Sequence, residues 1–258
     1  MKYICHLLPA IFLATVPGCE IHDEQTVSVK HKAAVYLKYH YDNGETATLR
    51  DIRSMRLFIY DNEGRLYRDT LLPLHTVLGD GPVMQTYLSR GKYTFVSWAN
   101  ISDSTVVRQP DLNRASLGLH TSGADNLLYG RFETPVVKGD SLRFDIDLFK
   151  SVFKINVLIT GLEKTPHPEN HYFGIYNREA LDFFDRPSGD LKRYRPELTY
   201  DRGRLSGSFY TPYFTGDDDF TIGVYCDHPE SQYTRLCETT IRNFADIVDE
   251  AIGHDVEI

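Results

Sequence analysis

The sequence predicts an all-β fold, two β-sandwich domains in tandem followed by a short C-terminal helix. Three observations carry that expectation. Apolar residues recur at every second position in several short runs, which is the period of a half-buried strand. Clusters of Gly, Pro, Asn and Asp punctuate those runs at turn spacing. The composition, with 17 Tyr and 14 Phe against 3 Met, suits pleated, half-buried surfaces.

The first element is a targeting segment. Lys2 gives a short positive start, and residues 3–16 are mostly apolar. A spanning helix needs about 20 apolar residues; this stretch is shorter and is interrupted by His6 and Pro9. Residues 1–18 therefore read as an export signal. Gly18 places a small residue immediately before Cys19, the arrangement required by the peptidase that cuts ahead of a lipid-bearing cysteine. Cys19 is the expected lipidation site, and the alternative is ordinary cleavage near Gly18 that leaves Cys19 as a spare thiol. Each buried acyl CH₂ adds ~0.8 kcal/mol of membrane affinity, and stable anchoring needs more than one chain. Residues 19–32, with the polar run Glu20-Ile21-His22-Asp23-Glu24-Gln25, hold too few apolar side chains to join a core and read as a tether.

Strand signals follow. Val35, Leu37, Tyr39 and Tyr41 share one face of an alternating run. Residues 55–60 form a second strand, apolar on both faces, that runs into Asp61-Asn62-Glu63-Gly64. That is a hairpin turn in which Gly64 is free to take positive φ, and residues 66–72 return from it. Arg90-Gly91 turns the chain into the alternating run 92–98. Leu142, Phe144, Ile146 and Leu148 point one way while Arg143, Asp145 and Asp147 point the other, the cleanest half-buried strand in the chain. A strand over 153–159 follows almost at once. The hand-over at Lys150-Ser151 is the expected boundary between an N-terminal sandwich, 33–150, and a C-terminal one, 151–258. Further strands are expected over 172–176, 208–214, 220–226 and 233–241. Ile241, Phe244, Ala245, Val248, Ala251 and Ile252 recur at helical spacing up to Gly253, which predicts the helix. Asp255-Val256-Glu257-Ile258 then opens a strand. No internal repeat can be aligned by eye.

Composition bounds the function. A net charge of −8 with no Lys/Arg cluster argues against nucleic acid as a partner and against electrostatic docking to anionic lipid. No nucleophile elbow, zinc-protease, phosphate-loop or C-x-x-C motif is present, so no catalytic residue, metal or cofactor is expected and the chain does not read as an enzyme. His167 and His171 lie four apart, but Pro168 opposes the helix that would align them, and a surface loop is the better reading. Asp217-Asp218-Asp219 lacks the alternating ligand spacing of a calcium loop and reads as a solvated turn. Trp98 with Tyr93 and Phe95 offers either a sugar-stacking platform or core packing; alternating strand positions favour the core. Paired carboxylates for glycoside hydrolysis are not distinguishable in sequence, because their separation is unknown. With Cys5 in the signal and Cys19 lipidated, Cys226 and Cys237 remain, and an oxidising compartment permits a disulfide between them; two separate buried thiols are the alternative.

Several segments together resemble a family. Val35-Tyr36-Leu37-Lys38-Tyr39 is similar to its first strand, and Met55-Arg56-Leu57-Phe58-Ile59-Tyr60-Asp61-Asn62-Glu63-Gly64 to its "lyiyD..G" hairpin. Residues 88–100, with Leu88, Gly91, Tyr93, Phe95, Val96, Trp98, Ala99 and Asn100, resemble its "L..G.Y.fvaWaN" segment, and Leu127-Leu128-Tyr129-Gly130 its "LlyG" stretch. With the lipobox, these resemble the fimbrillin anchor-subunit (FimB-type minor fimbrium) lipoproteins of the Bacteroidales, well over residues 19–160 and by pattern thereafter. The resemblance implies two transthyretin-like Greek-key sandwiches and a structural anchor or accessory subunit at the base of a cell-surface fimbria. It also implies tethering to the outer membrane by lipidated Cys19, facing the cell surface, and fimbrial subunits as partners by β-strand exchange. The chain departs from the family where it stops at Ile258, as a shortened or truncated member would, which puts a C-terminal strand-donor role in doubt. The competing expectation is a surface lipoprotein that binds glycan or another ligand through sandwich loops. A surface hydrolase is a distant third.

Overall fold

The computed structural model describes residues 29–40, 52–102, 105–139, 141–165, 167–213, 220–228, 231–241 and 256–257. Within them the chain is mostly β-sheet. The first half holds β1 (Lys30–Tyr39), β2 (Met55–Asp61), β3 (Leu66–Leu71), a one-turn helix α1 (Leu74–Val77), β4 (Met84–Ser89) and β5 (Tyr93–Ala99). Two short strands, β6 (Val106–Arg108) and β7 (Ser116–Gly118), precede β8 (Leu128–Glu133) and β9 (Leu142–Lys150). After Ser151 come β10 (Val152–Ile159), β11 (His171–Asp182), β12 (Pro187–Tyr194), β13 (Thr199–Asp201), β14 (Arg204–Pro212), β15 (Phe220–His228), β16 (Ser231–Ile241) and β17 (Val256–Glu257). The helix expected near the C-terminus lies outside the described residues, as do Tyr41 and Asp217-Asp218-Asp219.

A seven-stranded sheet runs β3-β2-β5-β8-β9-β1-β4. Six of its strands send side chains into one core: Val35 from β1, Leu57 and Ile59 from β2, Leu88 from β4, Phe95 from β5, Leu128 from β8, and Phe144, Ile146 and Leu148 from β9. One sheet surrounding one core has to bend back on itself. The bend falls at the seam of β8 and β9, which pair only through Leu128 with Lys150 and Tyr129 with Phe149. The alternation read in β9 is the alternation observed: Phe144, Ile146 and Leu148 are buried while Arg143 and Asp147 are exposed.

Strand β2 is apolar on both faces because it serves two cores. Met55, Leu57 and Ile59 face the first. Phe58 and Tyr60 face a second, larger core together with Val96 and Trp98 of β5, Phe173 and Ile175 of β11, and Ile155, Val157 and Phe209 of β10 and β14. That second core lies between a four-stranded sheet, β13-β14-β10-β17, and a six-stranded sheet, β16-β15-β11-β7-β6, to which β12 adds beside β11. The ring of Phe183 packs 4.9 Å from Phe58 and 6.1 Å from Tyr60. The segment between β5 and β8 also crosses over: β7 pairs with β11 at Ala180, Leu181 and Asp182, and Ala124 N–H donates to the Tyr210 carbonyl at 2.8 Å. Residues that precede Lys150 thus complete a sheet built by strands that follow it.

One turn chemistry is used twice. Asp61 Oδ1 accepts the N–H groups of Glu63 and Arg65, both at 2.9 Å, and Gly64 sits at φ +76°. Asp182 Oδ1 accepts those of Phe184 and Arg186 at 2.8 and 3.0 Å, with Asp185 at φ +60°. Each Asp also takes the Nε of the arginine four residues on, at 2.8 and 2.9 Å. The side chain stands in for a backbone acceptor, which is why Asp opens such turns. Asp tolerates the left-handed region far better than most residues.

Asp185 has a second role. It meets the buried Ser151 hydroxyl, which donates to its carboxylate, so the turn docks on the hand-over between β9 and β10. Burial, with a smaller push from Asp182, raises the Asp185 pKa to about 7, against the opposing pull of the Ser151 hydrogen bond. The folded value lies above the ordinary carboxylate value, so the fold binds the proton more tightly than the open chain does. The stabilisation is fully present below about pH 4 and is lost as pH rises through about 7. Asp185→Asn keeps an acceptor for Ser151 and cannot ionise. It is expected to stabilise the protein at pH 8 by about 2 kcal/mol, after discounting for solvent at the turn, with no gain at pH 4. Denaturant melts at the two pH values check it; equal gains at both would refute the role of the charge.

Candidate functional site

Strand β10 reads Val-Phe-Lys-Ile-Asn-Val-Leu-Ile. Phe153, Ile155 and Val157 point into the core, as a period of two requires, while Lys154, Asn156 and Leu158 point away. Leu158 is apolar where the pattern calls for a polar residue, and it is 58% exposed. On one side β10 pairs along its whole length with β14, from Val152 opposite Pro212 to Ile159 opposite Leu205. On the other side β17 pairs with it in parallel, at Ile155 and Asn156 only. Among the described residues, no strand lies beside Val157, Leu158 and Ile159 on that side.

Beside this open stretch lies an apolar groove of about 340 Å³. Val157, Phe173 and Val224 are its buried members, and Leu158, Ile159 and Ile222 widen its mouth. The opposite wall comes from Cys237, Glu238 and Thr239 of β16, the edge strand of the six-stranded sheet. Among the described residues, the groove thus lies beside main-chain groups of β10 that no strand covers. Such an edge is a template for another strand, and alternate side chains of that strand would enter the groove. Sequence reading treated Val157, Leu158, Ile222 and Val224 as ordinary strand residues. The out-of-pattern Leu158 was the one local signal available.

The residues singled out in sequence fall as follows. Cys19 lies outside the described residues. Cys226 and Cys237 are free thiols, the first buried and the second exposed. The ladder sets Cys237 opposite Val224 and Cys226 opposite Thr234, with an irregularity between. The two cysteines therefore do not face each other in the ladder, which favours the alternative of two separate thiols. Burial raises the Cys226 thiol above its ordinary pKa, which disfavours the reactive thiolate. Tyr93, Phe95 and Trp98 are all buried, which leaves no stacking platform there. His167 is exposed, whereas His171 is buried at the start of β11, so the two do not form a site together. Among the described residues no group of three or more His, Cys, Asp or Glu could hold a metal ion. Nor is any described helix long and apolar enough to cross a membrane.

Comparison with known proteins adds to this geometry. The family model of the fimbrillin-A associated anchor proteins Mfa1 and Mfa2 matches residues 18–242. A search of curated protein sequences finds no match. Among solved structures, the fimbrial anchor protein Mfa2 from Porphyromonas gingivalis is similar with a TM-score of 0.64 at 15% identity, over 89% of this chain and 88% of that one. A candidate polysaccharide-binding protein from Bacteroides thetaiotaomicron aligns with a TM-score of 0.67 at 14% identity, over 88% and 86% of the two chains. A candidate adhesin from Bacteroides ovatus gives 0.65 at 12%, over 88% and 86%. At such identities the likeness is one of fold.

Proposed function

Because the chain belongs to the family of fimbrillin-A associated anchor proteins, we propose that it is a non-enzymatic anchor subunit of a cell-surface fimbria, held in the outer membrane by lipid on Cys19 and joined to its neighbour by strand exchange. The family match over residues 18–242 carries this reading. The stretch of β10 that no described strand covers, with its groove, supports the joint: a strand laid beside Val157, Leu158 and Ile159 gains main-chain hydrogen bonds and buries alternate side chains. The tandem transthyretin-like sandwiches divided near Lys150, implied by the family resemblance, belong to the same proposal.

The lipid supplies the logic of an anchor. A subunit fixed in the membrane at its N-terminus holds the fibre and cannot extend it from that end. Deleting the gene should shed or lengthen the fimbriae, and electron microscopy of cells and medium reads the outcome. Cys19→Ala should move the protein from the membrane fraction to the soluble one while its fold is kept; full membrane retention would refute the lipid.

The joint has its own test. Leu158 is mostly exposed, so Leu158→Lys should leave the melting temperature within a degree or two of the parent, as surface substitutions do. It should nonetheless weaken capture of the neighbouring subunit at least tenfold (roughly 1.4 kcal/mol), because a charge at a strand edge opposes pairing. Capture at parental strength would rule out this edge as the joint.

A further inference from the structure

A second concavity, of about 450 Å³, lies where the crossing-over segment at His120, Thr121 and Ser122 meets the start of β11 and the turn after β12. Its size is that of a small-molecule site, about 300–1,000 Å³. Several of its polar groups are held before anything binds. The backbone N–H of Arg195 donates to the Thr121 carbonyl at 2.7 Å, which ties the two walls together. The Arg195 guanidinium lies 3.9 Å above the Tyr172 ring and is held by Asp227. Tyr172 in turn stacks on Tyr225 at 5.4 Å.

Two histidines present opposite chemistry to the cleft. His171 is 5% exposed, and its Nδ1 stands 3.0 and 3.1 Å from the carbonyls of His167 and Pro168. A ring nitrogen between two acceptors must carry the proton. In the neutral ring Nε2 is then an acceptor, and no hydrogen bond joins it to another described residue. His120 is the reverse: Nδ1 accepts the backbone N–H of Ser122 at 3.3 Å and meets its hydroxyl at 2.7 Å. The neutral ring then donates through Nε2–H. Glu169 and Glu197 add carboxylate acceptors. The Tyr200 hydroxyl accepts the Gly203 N–H at 3.1 Å and keeps its own proton to donate. Leu198 and Leu205 give an apolar wall.

We infer that this cleft is a binding site for a neutral saccharide. Donors and acceptors on the same walls match hydroxyl groups, each of which both gives and takes a hydrogen bond, and the leucines match the apolar face of a pyranose. The charge balance decides the class. Arg195 is neutralised by Asp227, and Glu169 meets only the His167 ring, at 3.9 Å, so with Glu197 the carboxylates bias the cleft against uronates, sialates and phosphates. The inference is independent of the β10 edge.

Saturation-transfer NMR on the folded mature chain tests it, with the methyl glycosides of glucose, galactose, mannose and N-acetylglucosamine as probes at millimolar concentration. At least one probe should receive saturation and should shift the imidazole resonances of His120 and His171. His171→Asn retains a donor for the His167 and Pro168 carbonyls and removes the Nε2 acceptor; Glu197→Gln keeps size and removes charge. Each should weaken the probe about tenfold, the effect of one well-placed hydrogen bond, while Leu158→Lys, outside the cleft lining, should leave it unchanged. Absence of transfer from every glycoside would overturn the assignment, as would affinity untouched by both cleft substitutions. Binding of acetyl-lysine amide in place of any glycoside would also overturn it, and would make the cleft a site for a cationic side chain.

Discussion

Gly130→Val is expected to abolish folding, and Gly130→Ala to cost about 3 kcal/mol, at the upper end of what forced overpacking costs. Gly130 lies on β8 where β9 folds across it. A methyl group there would stand 2.5 Å from the Asp147 carbonyl oxygen, 2.8 Å from Leu148 Cδ2 and 2.9 Å from Ile146 Cγ2. The nearest of these is backbone, so no side-chain rotation relieves the clash. Strand β9 cannot retreat cheaply either, because it is paired in parallel with β1 from Leu142 to Leu148. The cost is a lost bend in the seven-stranded sheet. Gly81→Ala is the control, since a Cβ there meets nothing within 4 Å; it should change stability by less than about 0.5 kcal/mol. Urea melts of the three variants decide the matter, and a Gly130→Ala melt matching the control would refute the seam.

Trp98→Ala should cost about 4 kcal/mol, the usual range for emptying an aromatic site in a core. The ring is fully buried and packs 4.8 Å from Tyr129 and 6.2 Å from Phe183, while the Tyr129 hydroxyl donates to the Phe183 carbonyl at 3.0 Å. The side chain thus sits where the outer face of β5 meets the turn after β11, and truncation loosens the contact between the seven-stranded sheet and the sheets beyond Ser151. Trp98→Phe should cost well under half as much. The indole N–H has no protein acceptor among the described residues, so Phe gives up volume but no hydrogen bond. Equal losses in the two variants would show that the nitrogen, not the packing, carries the effect.

The legible parts of this fold are those set by near neighbours. The Asp61–Gly64 turn was readable because glycine marks positive φ. Its twin at Asp182–Asp185 was not, because Asp185 occupies the left-handed position without that mark. β12 was missed because Pro187 and Gly189 break the run that periodicity relies on. The three-residue strands β6 and β7 are too short for any period to register. At the candidate edge, Leu158 broke the alternation, but nothing local said that β10 would pair with β14 on one side and with β17 on the other. The cysteines show the same limit: each strand was recognised, while the register that sets Cys237 against Val224 was not.

By itself the sequence determined where β2, β5, β9 and β10 run, which face of β9 is wet, where the first hairpin turns, and that β2 is apolar on both sides. These follow from the period of two and from the φ preferences of single residues, which act over a few positions. Tertiary structure alone decided that the two faces of β2 serve different cores, that β7 joins a sheet from the other half, and that β17 meets β10 in parallel at Ile155 and Asn156. Those outcomes depend on pairing between segments tens of residues apart. Each edge offers the same backbone donors and acceptors whatever its side chains, so the choice of partner leaves no local mark.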